Sequence, residues 1–210
     1  MLLTGPTLAL RPPAAEDAAA LFALGRDPEV IRWFSWGPYA AIEQPRAWIA
    51  EQEARRDAGE GFALAILHRE AGLVGITELS EWSVRDRRAV VGTWFARRWW
   101  GTGLNAEAKR LVALLAFDLC GLERLGAYAD VANARSHAAL AKAGFSPEGV
   151  LRAFHRHGER HKDVAVFSLL RGEWTHPVAA TLDGEVPAAF RLLREASPLR
   201  GGEPYDPCRP

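Results

Sequence analysis

The 210-residue sequence has few cysteines, no net charge and no long apolar run. Its two cysteines, Cys120 and Cys208, are too few for a disulfide framework or a cysteine-rich zinc module. Its 26 basic and 26 acidic side chains balance, so it lacks the positive surplus of a non-specific nucleic-acid or membrane binder. The best apolar stretch, Leu111 to Cys120, includes Asp118 and is far shorter than the roughly 20 residues of a membrane span. The first residues lack the basic segment and apolar core of a secretory signal, and we expect a cytoplasmic protein.

The positive charge is concentrated in one short segment. Residues 84–110 carry seven basic and two acidic side chains, whereas residues 1–81 carry seven basic and twelve acidic ones. A small anionic ligand would find a favourable field near the basic segment. Arg85, Arg87 and Arg88 are equally typical of a solvated turn, so charge alone leaves both interpretations open.

The hydrophobic pattern predicts a mixed α/β chain. Leu104, Ala108, Leu111, Leu115 and Leu119 recur at helical spacing, and Gly121 is suited to end that helix. The predicted strands are Thr7 to Arg11, Phe62 to His68, Leu73 to Glu81, Arg88 to Arg97, Arg124 to Asp130 and Lys162 to Leu170. The other predicted helices are Ala14 to Leu24, Pro28 to Phe34, Ile42 to Arg56 and Ala134 to Ala143. This order predicts one mixed sheet with helices on its faces.

Two glycines mark the junction between a predicted strand and the long helix. Gly101 and Gly103 follow the strand that ends at Arg97, and the helix begins at once. Glycines at such a junction let the backbone curl, so that several N–H groups point at one spot. The helix start adds unpaired N–H groups and the positive end of its dipole. The junction therefore predicts a site for a phosphate-type anion, with a plain tight turn as the alternative.

Two common phosphate-binding motifs do not fit this junction. A Walker loop requires Gly-Lys-Ser/Thr, whereas Leu104 and Asn105 follow the second glycine here. A dinucleotide fingerprint requires an acidic residue ending a second parallel strand about 20 positions on. Glu123 stands before the next strand instead, and the strands preceding the junction are predicted to be antiparallel. A Rossmann-type oxidoreductase is therefore a remote alternative.

The pattern that does fit is Arg/Gln-x-x-Gly-x-Gly/Ala, present here as residues 98–103. It resembles the acyl-CoA pyrophosphate loop of the GNAT superfamily of N-acetyltransferases. Further motifs resemble the RimJ/RimL branch in consistent order over roughly residues 7–174. They are Gly-x-Trp-Phe at 92–95, Glu-Ala at 107–108, Asn-Ala-Arg-Ser at 133–136, Lys-Ala-Gly-Phe at 142–145, Glu-Gly-Val-Leu-Arg at 148–152 and Phe-Ser-Leu-Leu-Arg-x-Glu-Trp at 167–174.

The resemblance implies an α/β (α+β) fold: one mixed, mostly antiparallel central sheet with helices on both faces. Two central parallel strands, Arg88 to Arg97 and Arg124 to Asp130, would splay apart to admit the pantetheine of acetyl-CoA. Residues 1–175 would form the acetyltransferase domain. Residues 176–210 would be a C-terminal extension, with a short helix from Ala188 to Glu195 and a poorly ordered Pro/Gly-rich tail. That helix could dock a second copy of the chain or simply fold back onto its own domain.

The resemblance also implies which residues hold acetyl-CoA. The pantetheine and acetyl carbonyl would contact backbone groups of Phe95 and Ala96. Asn133 would hydrogen-bond the cofactor, although asparagine is also a favoured helix N-cap. The amides of one loop would hold the pyrophosphate, and its residues are Arg98, Trp99, Trp100, Gly101, Thr102, Gly103 and Leu104.

Three residues are candidates for proton transfer. Many GNAT enzymes protonate the departing thiolate with a tyrosine seven residues after the asparagine, where this chain has Leu140. Ser136 is the candidate acid in its place, as in the RimJ/RimL type. His155 and Glu81 are candidate bases for the acceptor amine, because imidazole and carboxylate groups suit that task. The histidines from 155 to 161 equally suit a polar hairpin, and no metal site is expected.

Aromatic side chains of the N-terminal helical region are candidates for the acceptor site. Trp33, Trp36 and Tyr39 lie in a segment that walls the acceptor in the GNAT family. The expected activity is direct transfer of acetyl to a primary amine, either a protein N-terminal α-amine or a small molecule. The alternative is a catalytically silent module that binds acyl-CoA as a sensor. Neither nucleic acid, membrane nor metal is expected as a partner.

Overall fold

The computed structural model describes residues 1–175 and 177–192. Nine strands run through these residues and form one sheet. They are β1 (Leu2–Thr4), β2 (Leu8–Arg11), β3 (Phe62–His68), β4 (Gly72–Ser83), β5 (Arg88–Phe95), β6 (Arg124–Asp130), β7 (Ser146–His157), β8 (Arg160–Leu170) and β9 (Thr181–Asp183). The strand order is β7-β8-β6-β5-β4-β3-β2-β1-β9. The predicted meander β3–β4–β5 is therefore confirmed, and β1, β7 and β9 are additions to the predicted set.

Five α-helices connect the strands within the described residues. They are α1 (Ala18–Gly25), α2 (Pro28–Ile31), α3 (Glu43–Asp57), α4 (Leu104–Leu114) and α5 (Ala134–Lys142). The prediction of a helix to Phe34 was wrong, because α2 ends at Ile31 and the chain turns there. The long helix continues beyond α4 as a π-helical segment, Leu115–Leu119, before Gly121 ends it with a φ of 82°.

The sheet is antiparallel except at its centre. There β5 and β6 run parallel, and their pairing covers only Arg88–Val90 against Arg124–Gly126. Both strands continue past this pairing, β5 to Phe95 and β6 to Asp130. The two strands therefore part along their C-terminal halves, as the resemblance implied. This opening is called the cleft below.

Helices cover both faces of the sheet. The larger apolar cluster packs α4 and its π-helical continuation against one face, with Leu111, Phe117 and Leu125 in its centre. The smaller cluster packs α1 and α3 against the other face, through residues such as Leu21 and Ile49. The side chains of one strand alternate between these two faces. The face under α1 and α3 is called the acceptor face below, because the aromatic segment lies on it.

Residues 177–192 belong to the same core as the rest of the sheet. β9 pairs with β1, and Val178, Leu182 and Phe190 are buried in the larger cluster. The amide of Leu192 donates a hydrogen bond to the carbonyl of Cys120 at 2.9 Å. In place of the predicted helix from Ala188, the described part forms a single 3₁₀ turn, Ala188–Phe190. The rest of that predicted helix and the predicted tail lie outside the described residues.

Candidate active site

The glycine loop is built from a 3₁₀ turn, two left-handed glycines and the start of α4. The turn spans Arg97–Trp99, with the Arg98 guanidinium 5.4 Å from the centre of the Trp99 ring. Gly101 and Gly103 have φ values of 77° and 89°, and Gly103 is the N-cap of α4. Residues with a Cβ rarely adopt this conformation, which explains both glycines.

The loop leaves several amides without a partner. The amides of Trp99 and Trp100 donate to Ala96 and Arg97 within the turn. In the described chain, residues 101–103 donate no backbone hydrogen bond to another residue. No atom lies within 4 Å of where a Cβ would stand on Gly101 or Gly103, so the space beside the loop is open. Together with the helix start at Leu104, these amides can hold a phosphate-type anion.

Backbone groups of β5 line one side of the cleft. The amide of Ala96 donates to the carbonyl of Val74 at 2.9 Å, so it bonds toward β4. Because backbone groups alternate in direction along a strand, the N–H and C=O of Phe95 face β6. The Phe95 carbonyl accepts a hydrogen bond from the Trp100 indole at 2.9 Å. The N–H of Phe95 therefore faces the cleft, whereas the Ala96 amide is already bonded within the sheet.

The first turn of α5 lies against the glycine loop at the mouth of the cleft. The guanidinium of Arg135 sits 3.4 Å from the centre of the Trp100 ring. Burial lowers the pKa of Arg135, although guanidinium stays protonated throughout the physiological range. This cation–π contact joins the segment after β5 to the segment after β6, and so connects the two sides of the cleft.

Asn133 and Ser136 lie at the start of α5. Asn133 is buried and is the N-cap, its side-chain oxygen accepting from the Ser136 amide at 3.2 Å. The capping role considered from sequence is therefore present. Ser136 is half-buried, and its hydroxyl makes no hydrogen bond with the described part of the chain. That hydroxyl is free to act on a ligand.

The predicted acceptor aromatics lie over both parted strands. Trp36 stacks on Tyr39 with a centroid distance of 5.2 Å and reaches Trp94 of β5 at 6.1 Å. Trp33 lies 5.5 Å from the ammonium of Lys162, which is paired with Asp130 at the end of β6. All three predicted aromatics are half-buried. They form a wall on the acceptor face of the cleft.

The two candidate bases lie on either side of Tyr128, a residue of the parted half of β6. The Tyr128 hydroxyl donates to Oε2 of Glu81 at 3.4 Å. The His155 ring meets the Tyr128 ring edge-on, with centroids 5.9 Å apart. Glu81 and His155, which are 74 positions apart in the sequence, thus belong to one cluster.

The contacts that three residues make in this site were not predicted from sequence. They are Trp94, Tyr128 and Arg135. Trp94 was assigned only to the cofactor motif, whereas its ring contacts the aromatic wall. Tyr128 alternates with buried alanines in β6, and that alternation was the one available signal that its side chain leaves the core. Arg135 belongs to the Asn-Ala-Arg-Ser motif at 133–136, but that motif does not predict its contact with Trp100, which is remote in the chain.

The site holds neither a reactive thiol nor a recognisable metal centre. Cys120 is buried, and burial raises the pKa of its thiol well above the ordinary value, so the thiol stays protonated. Among residues 1–175 and 177–192, no group of three or more His, Cys, Asp or Glu side chains could hold a metal ion. No helix in these ranges is long and apolar enough to cross a bilayer.

Comparison with known proteins identifies the family. A model described as an acetyltransferase (GNAT) domain matches residues 7–146. The chain belongs to the GNAT acetyltransferase family. This confirms the resemblance inferred from the motifs, and the glycine loop, the parted strands and the start of α5 of this acetyltransferase all lie within the matched residues.

Two Bacillus subtilis proteins illustrate the relationship. The uncharacterized N-acetyltransferase YoaA is 29% identical over 174 residues, covering 81% of this chain and 97% of YoaA. YdaF, which carries the name of a ribosomal N-acetyltransferase, is 28% identical over 167 residues. This match covers 79% of this chain and 90% of YdaF. The second name agrees with the RimJ/RimL motifs.

A solved structure shows the same fold. The microcin C7 self immunity acetyltransferase MccE, solved with acetyl-CoA and AMP, superposes with a TM-score of 0.72. The superposition covers 79% of this chain and 93% of the MccE chain, and the two sequences are 20% identical. The mixed sheet with parted central strands is therefore an acetyltransferase fold.

Proposed function

We propose that this acetyltransferase transfers acetyl from acetyl-CoA directly to a primary amine. The observation that carries this proposal is the cleft, with a loop of free amides at one end and an aromatic wall with acid–base groups on the acceptor face. The acceptor is a protein N-terminal α-amine or a small-molecule amine. The two candidate bases near Tyr128 could serve either.

The loop residues would hold the pyrophosphate of acetyl-CoA. The open space beside Gly101 and Gly103 and the unpaired amides of residues 101–103 fit an anion of this kind. The excess of basic side chains in residues 84–110 would attract the negatively charged pyrophosphate. The buried Asn133 amide and the Arg135–Trp100 contact would border the pantetheine as it enters between the strands.

The N–H of Phe95 would stabilise the acetyl carbonyl during transfer. This N–H faces the cleft and lies in the part of β5 that does not pair with β6. An N–H aimed at the developing oxyanion lowers the barrier of acyl transfer, because it needs no reorganisation at the moment of reaction.

Proton transfer would use groups on opposite sides of the thioester. The acceptor amine gives its proton to Glu81 or His155, its nitrogen bonds to the acetyl carbon, and the carbon–sulfur bond breaks. The Ser136 hydroxyl donates a hydrogen bond to the departing thiolate and passes its proton to it while taking a replacement proton from solvent, so no alkoxide remains. Since thiols have a pKa of about 8.5, a CoA thiolate needs only this modest help from an acid. The protonated Cys120 thiol favours this direct route over an acyl-enzyme.

The experiment is a thiol-release assay with a panel of amines. Acetyl-CoA and the protein are incubated with peptides that carry a free N-terminus, with the same peptides blocked at the N-terminus, and with small diamines. The proposal expects CoA release that depends on a free primary amine, and a lower rate for Ser136→Ala. Two outcomes would contradict the proposal. One is CoA release without acetyl bound to an amine in any product, and the other is no CoA release with any amine of the panel.

A further inference from the structure

Two irregular strands aim side chains at Tyr128. The register of β4 against β5 shifts between Ser80 and Ser83, and Glu81 lies in that bulge. The register of β7 against β8 shifts between Leu151 and His155. Bulges redirect side chains and occur often beside active sites.

Each bulge holds a residue in an unfavourable backbone conformation. Glu81 has a φ of 48° and Ala153 a φ of 52°, which are two of the three positive values among non-glycine residues in the described chain. Such conformations are unfavourable for residues with a Cβ and persist where the surroundings impose them. Glu81 supplies the carboxylate beside Tyr128. Ala153 directly precedes Phe154 and His155, whose rings contact the Tyr128 ring.

The Tyr128 ring lies in the middle of this cluster. Phe154 packs against it at 5.2 Å and His155 at 5.9 Å, both at steep angles. Its hydroxyl reaches across β5 to Glu81 of β4, two strands away. Gly92 of β5 has no atom within 4 Å of where a Cβ would stand, so a ligand amine could lie between Trp94 and the Glu81–Tyr128 pair.

We propose that Tyr128 is a positioning residue that orients the Glu81 carboxylate as the base for the acceptor amine. The inference rests on the proposed function and deepens it, because it selects Glu81 over His155. The amine proton passes to a Glu81 oxygen while the nitrogen bonds to the acetyl carbon. The leaving thiolate is protonated through the Ser136 hydroxyl, which takes a replacement proton from solvent, and Glu81 releases the amine proton to solvent. Both side chains therefore end in their starting protonation state.

The charges around Tyr128 keep its hydroxyl a donor. Burial and the Glu81 carboxylate raise the pKa of Tyr128, while Arg88 on β5 and Arg124 on β6 oppose that rise. Arg124 is already paired with Glu148, and His155 is the titratable group that β7 presents to the ring. Tyr128 is therefore protonated at neutral pH and donates its hydrogen bond to Glu81.

The first test compares Tyr128→Phe with the wild type. The variant keeps the ring contacts and loses only the hydroxyl. The Glu81 carboxylate then loses the donor that orients it, so the effect should fall on kcat and leave cofactor binding intact. We expect kcat to fall about tenfold, the scale of one lost charge-assisted hydrogen bond, with KM for acetyl-CoA unchanged. Ser83→Ala, which removes a half-buried hydroxyl bonded to Asp86 in the same hairpin, is the control expected to keep the wild-type kcat.

The second test needs no activity, so it separates this inference from the proposed function. The Glu81 carboxyl carbon is observed by carbon-13 NMR at one fixed pH, with its signal assigned through Glu81→Gln. The inference expects the chemical shift of this carbon to change in Tyr128→Phe, because the carboxylate has lost a hydrogen-bond donor. An identical chemical shift in both proteins, or an unchanged kcat in an active Tyr128→Phe variant, overturns it. Failure of the whole amine panel with this change of chemical shift intact would count against the proposed function alone.

Discussion

Glu107 is a buried carboxylate that fixes α4 to the first strands. It accepts hydrogen bonds from the amides of Thr7 and Leu8, both at 2.8 Å. Glu107→Ala leaves two inward-facing donors without an acceptor, and we expect the free energy of unfolding to fall by about 2–4 kcal/mol. Urea denaturation measures this loss. Glu107→Gln retains one acceptor oxygen and should lose less; an equal loss in both variants would show that the carboxylate charge, and not an acceptor oxygen as such, is what matters here.

We expect Lys109 of α4 to make the free energy of unfolding depend on pH. Burial lowers the pKa of Lys109 to about 8, beside Arg110 and Lys142 in a small cavity. The unfolded chain keeps this proton to about pH 10.5, so stability should rise as the pH rises from 8 toward that value. Lys109→Met should raise the free energy of unfolding at pH 7 by on the order of 1 kcal/mol. Urea denaturation of both proteins between pH 7 and pH 10.5 checks this prediction. If the extra stability of Lys109→Met did not shrink as the pH rises, burial of a charged Lys109 would not be its cause.

Single residues were predictable where one local property decides their role. Gly101 and Gly103 could be found because a left-handed turn at a helix start requires glycine. Asn133 could be found because it caps the helix that it begins. The Tyr128–Glu81 bond could not, since it joins residues 47 positions apart through a bulge that no local pattern predicts.

The glycine loop is the element on which, in our proposal, cofactor binding depends. Gly103→Ala forces a Cβ into a φ of 89°, at a cost of roughly 1–2 kcal/mol. The loop should relax away from its present shape, and affinity for CoA should fall about tenfold. Calorimetric titration with CoA measures this change. Gly172→Ala is the matched control, because that site has open space and no positive φ; the same loss in both variants would contradict a specific role for the loop.

Whole elements were predictable where apolar periodicity was strong. The helix through Leu111 and strands β3 to β6 follow such patterns. β7 does not, because all its residues except His157 are exposed and no buried face imposes alternation. β1 and β9 are three residues each, too short for a pattern, and tertiary pairing with their neighbours defines them.

At the scale of the molecule, residues 177–192 complete the core. Phe190 is fully buried, stacked on Phe62 at 4.9 Å and edge-on to Trp82 at 4.8 Å. Phe190→Ala should lower the free energy of unfolding by about 3–5 kcal/mol. Thermal and urea unfolding measure the effect, against Val84→Ala, whose side chain is 61% exposed. If the two variants were equally stable, residues 177–192 would not be part of the cooperative unit.

The central claim is that the cleft brings acetyl-CoA and an amine together for direct transfer. The most direct measurement is mass spectrometry of cell extract incubated with the protein and isotope-labelled acetyl-CoA. The account predicts labelled acetyl on the amino group of one class of acceptor, less of it with Glu81→Gln, and none retained on the protein itself. Label held on the protein as a thioester or ester, or found on no amine at all, would contradict it.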